Sequence, residues 1–150
     1  MSKSILWIDD DYYAIQGLFR PLVVSGYQVD VAISALEGYR KAQNWKTYDL
    51  IVVDLIIPVS QLQESAPSLV ESWGNEEEYS YVGLGLVKWL LTVQKAQCPV
   101  AILSIVPDPV ATYNLSALGI AGFIRKDGLL PSRLKAEILK ILEGSERVAP

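Results

Sequence analysis

The sequence predicts a doubly wound α/β fold, a five-stranded parallel sheet between two helical layers with five helices in all. Two observations lead there. Short apolar runs alternate with longer segments of helical period, as in strand, helix, strand repeats. Several of those runs are continuous rather than alternating, as central parallel strands covered on both faces should be.

The expected strands are the runs Ile5 to Ile8, Val29 to Ile33, Leu50 to Ile57, Val100 to Val106 and Gly122 to Ile124. Between the first two, Ile15, Leu18, Phe19 and Leu22 recur at i, i+3, i+4 and i+7, the stripe of an amphipathic helix. Leu134, Ile138, Ile141 and Leu142 repeat that stripe near the C-terminus, and Leu86, Val87, Leu90 and Leu91 suggest a third helix. Leu36 with Tyr39, and Val110 with Tyr113 and Ala117, mark two more. Right-handed crossovers then give three layers, with any site beyond the carboxyl ends of the strands.

One segment interrupts the rhythm. Residues Val59 to Val82 separate the third strand from its helix, where about 2 to 6 residues are usual. This insertion carries Glu64, Glu71, Glu76, Glu77 and Glu78 and no lysine or arginine, so the acidity of a chain of net charge −4 is concentrated there. Trp73, Tyr79 and Tyr81 supply aromatic anchors beside those charges. Two expectations stand side by side, a tolerated and partly disordered surface insertion or a surface loop that filters partners near the site, and in the second a short Gly/Ser turn in place of Gln61 to Ser80 would leave the chain folded.

Composition narrows the chemistry. The chain has 150 residues, 51% of them apolar, enough for one substantial core, so a single domain spanning 1–150 is expected. There is no histidine, which removes Ser-His-Asp and Cys-His catalysis and imidazole zinc sites. One cysteine, Cys98, can form no intrachain disulfide and reads as packing. An acidic pI of about 4.8 disfavours direct nucleic-acid binding. No apolar run approaches the roughly 18 to 20 residues of a membrane span, and no secretory segment precedes the acidic triplet at Asp9. A cytoplasmic location without membrane insertion is expected.

Carboxylates, a hydroxyl and a lysine remain, and they fall at strand ends. Asp9, Asp10 and Asp11 follow Ser4-Ile-Leu-Trp-Ile8; a lone aspartate there reads first as a helix cap, but three exceed what a cap requires. Their mutual repulsion suits a hard cation such as Mg²⁺. Asp54 is embedded in Leu50-Ile-Val-Val-Asp-Leu-Ile-Ile-Pro58, where a buried carboxylate is costly unless paired, and a buried ion pair or a strand-end cap would also explain it. Ser104, in Ala101-Ile-Leu-Ser-Ile105, and Lys126, in Gly122-Phe-Ile-Arg-Lys126, close the fourth and fifth runs. Together these groups suit phosphoryl transfer to a carboxylate: an aspartate as nucleophile, a metal and a lysine against the charge, a hydroxyl for the product oxygens.

With these residues in this order, the sequence resembles the receiver domains of bacterial response regulators (the CheY-like, flavodoxin-like fold) over nearly its whole length. The resemblance implies Asp54 as phosphoacceptor and Mg²⁺ held by Asp10, Asp54 and the backbone carbonyl of Ile56, with Asp9 acting largely through metal-bound water. It implies Lys126 as phosphate-binding lysine, Ser104 as switch hydroxyl and Phe123 as the aromatic switch residue coupled to it; otherwise Phe123 reads as core packing. Pro58 also fits. Asp127 stands where the family commonly has proline, Ile105 where small residues are usual, and the insertion interrupts the short turn after Pro58. The implied partners are a histidine kinase or a histidine phosphotransfer protein, with a homodimer through the last two helices and the fifth strand as the self-association to test. The implied role is signalling, not turnover of a substrate, beyond self-phosphorylation and self-dephosphorylation. Apolar Ile56 and Val106 then predict slow loss of the phosphoryl group.

Two other readings stay open. A pseudo-receiver would keep the fold and bind partners unphosphorylated. A Mg²⁺-dependent aspartyl phosphatase would need a second carboxylate two residues after Asp54, where Ile56 stands.

Overall fold

The structure is a computed structural model that describes residues 3–73, 81–105 and 115–148, and the statements below concern those residues. Five parallel strands, β1 (Ser4–Ile8), β2 (Gln28–Ala32), β3 (Leu50–Val53), β4 (Val100–Ser104) and β5 (Gly122–Arg125), form one sheet in the order β2-β1-β3-β4-β5. Register is continuous across the middle: Trp7 pairs with Val31 on one side and Val52 on the other, and Ile102 pairs with both Val53 and Phe123. The strand order reverses between β1 and β3, which opens a crevice at their carboxyl ends.

Alternation along the strands divides the core into two layers. Ile5, Trp7, Leu50, Val52, Ala101 and Leu103 face helix α1 (Tyr12–Val24) and the C-terminal helix α6 (Pro131–Val148), meeting Ile15, Phe19, Leu22, Leu134, Ile138 and Leu142. Leu6, Ile8, Ile51, Val53 and Ile102 face the other way, onto α2 (Ala35–Ala42) and α5 (Val82–Lys88). The stripes predicted for α1 and α6 are therefore the faces that the sheet covers. Asp11 caps α1, accepting a hydrogen bond from the Ala14 N–H at 3.2 Å. Gly26, at φ 98°, closes it as the left-handed residue, with the Tyr27 N–H donating back to the Leu22 carbonyl at 3.0 Å.

Two expectations need correction. Strand β3 stops at Val53 rather than Ile57, because the Asp54 side chain accepts the Ile56 N–H at 3.0 Å and turns the backbone away from the ladder. The insertion is not a detachable surface loop over its first half. It folds into α3 (Leu62–Ser65) and α4 (Pro67–Glu71), and Leu62, Leu69, Val70 and Trp73 are buried in the second core layer. Leu62 of α3 and the adjacent pair Leu69 and Val70 of α4 give each short helix an apolar side, which is why an acidic segment still has an inward face. Glu76 to Glu78 and Tyr79 lie outside the described residues, as do Val106, Val110 and Tyr113. Of the helix expected around the last two, the described part is a 3₁₀ turn, Leu115–Leu118. The third predicted stripe spans α5 and a following π turn, Trp89–Val93, which buries Leu90. Among the described residues no helix is long and apolar enough to cross a membrane.

Candidate functional site

Because all five strands are parallel, their carboxyl ends share one edge of the sheet, and the polar residues singled out in the sequence gather there. Asp9 follows β1, Asp54 follows β3, Ser104 ends β4 and Lys126 follows β5. Asp9, Asp54 and Ser104 are the buried polar side chains of the described residues, at 0%, 6% and 0% exposure. Burial on this scale, in a core otherwise apolar, is tolerated only with partners.

Lys126 supplies them for the two carboxylates. Its Nζ donates to Asp9 Oδ2 at 2.7 Å and to Asp54 Oδ2 at 3.2 Å, and its backbone N–H donates to the Ser104 carbonyl at 2.9 Å. Asp9 Oδ1 accepts the Asp11 N–H at 2.9 Å, and Asp54 Oδ1 accepts the Ile56 N–H at 3.0 Å. The acidic triplet is thus divided by role: Asp11 caps α1, Asp9 is buried against the lysine, and Asp10 is exposed at the mouth. Carboxylate oxygens of Asp9, Asp10 and Asp54 lie within 4.8 Å of one another.

The electrostatics follow from this geometry. Burial, and then the negative charge of Asp9, push the Asp54 carboxyl up to about 6; the Ile56 N–H and Lys126 oppose the shift without cancelling it. Burial alone would lower the Lys126 ammonium, but its bonds to Asp9 and Asp54 and their charges outweigh that and raise it. Two carboxylates and one ammonium leave the buried cluster with an excess of negative charge, which a cation would neutralise.

The residues present fit Mg²⁺. The donors are hard carboxylate oxygens, the ligand type this ion prefers, and one oxygen from each of the three residues lies within 4.8 Å of the others. Asp10, exposed and beside the cluster, is the carboxylate most accessible to such an ion.

Phe123, in β5 three residues before Lys126, pairs with Ile102 of β4 and is partly buried against the second core layer. Ile56 lies beside Asp54 and is exposed, as is Ile105 beside Ser104.

Sequence reasoning missed Gly83. A Cβ at this position, in the first turn of α5, would run into the Asp54 carbonyl oxygen, with the Leu55 Cα 2.6 Å away. The Gly83 N–H donates to the Leu55 carbonyl at 3.0 Å, so α5 begins in direct contact with the backbone of the aspartate. The available signal was a Gly-Leu-Gly within an apolar helical run, a pattern that marks close backbone approach.

Comparisons with known proteins agree with this architecture. No family model matches the chain. A stretch of 59 residues, 39% of the chain, is 30% identical to a protein of Porphyra purpurea named "Probable transcriptional regulator ycf29", and spans 28% of that protein's length. Among solved structures, a CheY-like response regulator receiver domain protein from Methanospirillum hungatei JF-1 superposes with a TM-score of 0.74, covering 99% of this chain and 100% of that one at 19% identity. A response regulator receiver domain protein from Clostridium thermocellum gives 0.71, covering 98% and 99% at 20% identity.

The chain has the CheY-like receiver fold. Within the receiver fold, the crevice at the strand-order reversal is where Asp9, Asp54 and Lys126 meet. At such identities the fold is shared while the chemistry has to be argued from the site.

Proposed function

We propose that this chain is the phosphoacceptor receiver domain of a two-component phosphorelay, accepting a phosphoryl group on Asp54. One observation carries the reading: Lys126 bridges two buried carboxylates, Asp9 and Asp54, at a strand-end crevice where a carboxylate oxygen of Asp10 lies within 4.8 Å of both. A purely structural ion pair needs one carboxylate for one ammonium, and burying a surplus is costly.

In this reading an oxygen of Asp54 attacks the phosphorus of the donor. An O–P bond forms as the bond from phosphorus to the leaving group breaks, and the leaving group departs with that electron pair and is protonated by solvent. Lys126 Nζ, already against Asp54 Oδ2, remains close to the transferred oxygens and offsets their charge. Ser104, at the end of β4, supplies the hydroxyl that follows the phosphoryl group, with Phe123 as its aromatic partner in switching. Asp10, Asp54 and the Ile56 carbonyl would hold Mg²⁺, with Asp9 acting through metal-bound water. The bound ion supplies positive charge against the phosphoryl oxygens.

The donor would be a histidine kinase or histidine phosphotransfer protein in the cytoplasm, since the chain has no histidine of its own. A homodimer through α6, β5 and the segment before it belongs to the same reading, as does the absence of substrate turnover beyond the phosphoryl group itself. The test is intact mass after incubation with Mg²⁺ and a small phosphodonor. A gain of one phosphoryl group that is lost in Asp54→Asn supports the reading; no gain in the wild-type protein identifies a pseudo-receiver instead.

A further inference from the structure

Helix α5 is held between two surfaces through its two glycines. Gly83 and Gly85 are two residues apart and so lie about 200° apart around the helix, on nearly opposite sides. On one side, a side chain at Gly83 would collide with the backbone of Asp54 and Leu55. On the other, a side chain at Gly85 would collide with the indole of Trp73, the last described residue of the insertion's first half. Residues Val82 to Val87 are all buried, so α5 is enclosed on every face and cannot tilt freely. Trp73 is itself seated in the core, at 7% exposure, together with Leu69 and Val70 of α4.

We infer that Trp73 is a positioning residue for Asp54: it presses α5, through Gly85, against the backbone that carries the phosphoacceptor. This rests on the phosphoacceptor reading for its functional consequence, but its structural content stands separately. The segment Leu55-Ile56 leaves the sheet after Asp54, whose N–H makes the last ladder bond, to the Ile8 carbonyl at 2.9 Å. Its direction is set by the Gly83 N–H on the Leu55 carbonyl, by the Ile56 N–H on Asp54 Oδ1 and by the contact with Gly83. Without the indole, α5 is free to recede, and both the carboxylate and the Ile56 carbonyl lose their fixed direction. The insertion thus reaches the site through packing, over and above any effect of its charge.

The experiment compares Trp73→Ala with Leu22→Ala, a truncation in the opposite core layer, at a temperature where both are folded. The readouts are the amide chemical shifts of Leu55, Ile56 and Gly83, the apparent affinity for Mg²⁺, and the rate of phosphorylation by a small phosphodonor. Trp73→Ala should move the three amides, weaken Mg²⁺ binding, and slow phosphorylation by about ten-fold or more, since ångström-scale misplacement has effects up to about a hundred-fold. Leu22→Ala should do none of these. Trp73→Phe, which keeps a flat ring on Gly85, should restore most of the rate. If Trp73→Ala does not fold, Trp73→Leu, which keeps apolar bulk but no flat ring, carries the same comparison. Unmoved amides in folded Trp73→Ala or Trp73→Leu overturn the inference, as do moved amides with an unchanged rate. A wild-type protein that accepts no phosphoryl group would sink the phosphoacceptor reading, while the amide shifts would still decide the brace.

Discussion

Lys126 donates to Asp9 at 2.7 Å across 117 residues of chain, and with Asp9 at 0% exposure this pair is the tightest constraint on the crevice. Removing the ammonium leaves a buried charge without its partner. Lys126→Met should therefore destabilise the protein at neutral pH by about 3 kcal/mol, the scale for breaking a buried pair. Adding Asp9→Asn should recover much of that loss. Urea denaturation of the single and double variants checks it, and equal stability of the two would show that Asp9 is neutralised elsewhere.

Asp54 sets a pH dependence whose sign is unusual for a carboxylate. Its folded pKa lies at about 6, above the usual aspartate value, so the folded state holds the proton more tightly than the unfolded chain. Stability from this group is fully present below the unfolded pKa and is lost as pH rises through about 6. In metal-free buffer the unfolding free energy from urea denaturation should fall between about pH 4 and 7, by an amount of the order of 2 kcal/mol. Asp54→Asn should flatten that slope, and saturating Mg²⁺ should do so by favouring the ionised form.

Asp10 contributes a different balance, since it is exposed and lies close to the carboxylates of Asp9 and Asp54. Asp10→Asn should leave metal-free stability within about 0.5 kcal/mol of wild type or raise it, as for surface substitutions that remove a repulsion. The rise in melting temperature on adding Mg²⁺ should shrink or vanish. A large loss of stability without metal would assign Asp10 a structural bond instead.

The insertion should prove indispensable over its first half. Leu62 is fully buried, and Leu62→Ala should lower stability by about 2 to 4 kcal/mol. Replacing Gln61 to Ser80 with a Gly/Ser turn removes Leu62, Leu69, Val70 and Trp73 together, and should unfold the domain or leave it molten by near-ultraviolet circular dichroism.

The sheet was legible because its strands are apolar runs and four of the five are marked by a polar residue at the end: Asp9, Asp54, Ser104 and Lys126 all sit within one residue of a strand end. Periodicity gave α1 and α6 because Ile15, Phe19 and Leu22, like Leu134, Ile138 and Leu142, have a single sheet face to cover. The first half of the insertion reads as surface because the insertion's five glutamates dominate any average over Val59 to Val82, while the inward face rests on a few apolar residues, Leu62, Leu69, Val70 and Trp73. Gly83 was missed for a different reason. A glycine's importance lies in what a side chain would strike, and the Asp54 backbone it avoids is 29 positions away in the sequence.

The span from Asp9 to Lys126 has a consequence for assembly of the molecule. β5 is an edge strand and the last to emerge during synthesis, and it delivers the cation. Any intermediate with β1 and β3 paired but β5 undocked brings Asp9 and Asp54 together with nothing to offset their repulsion. Such partly built forms are penalised at neutral pH, so charges placed for a reaction also make the folding transition more nearly all-or-none.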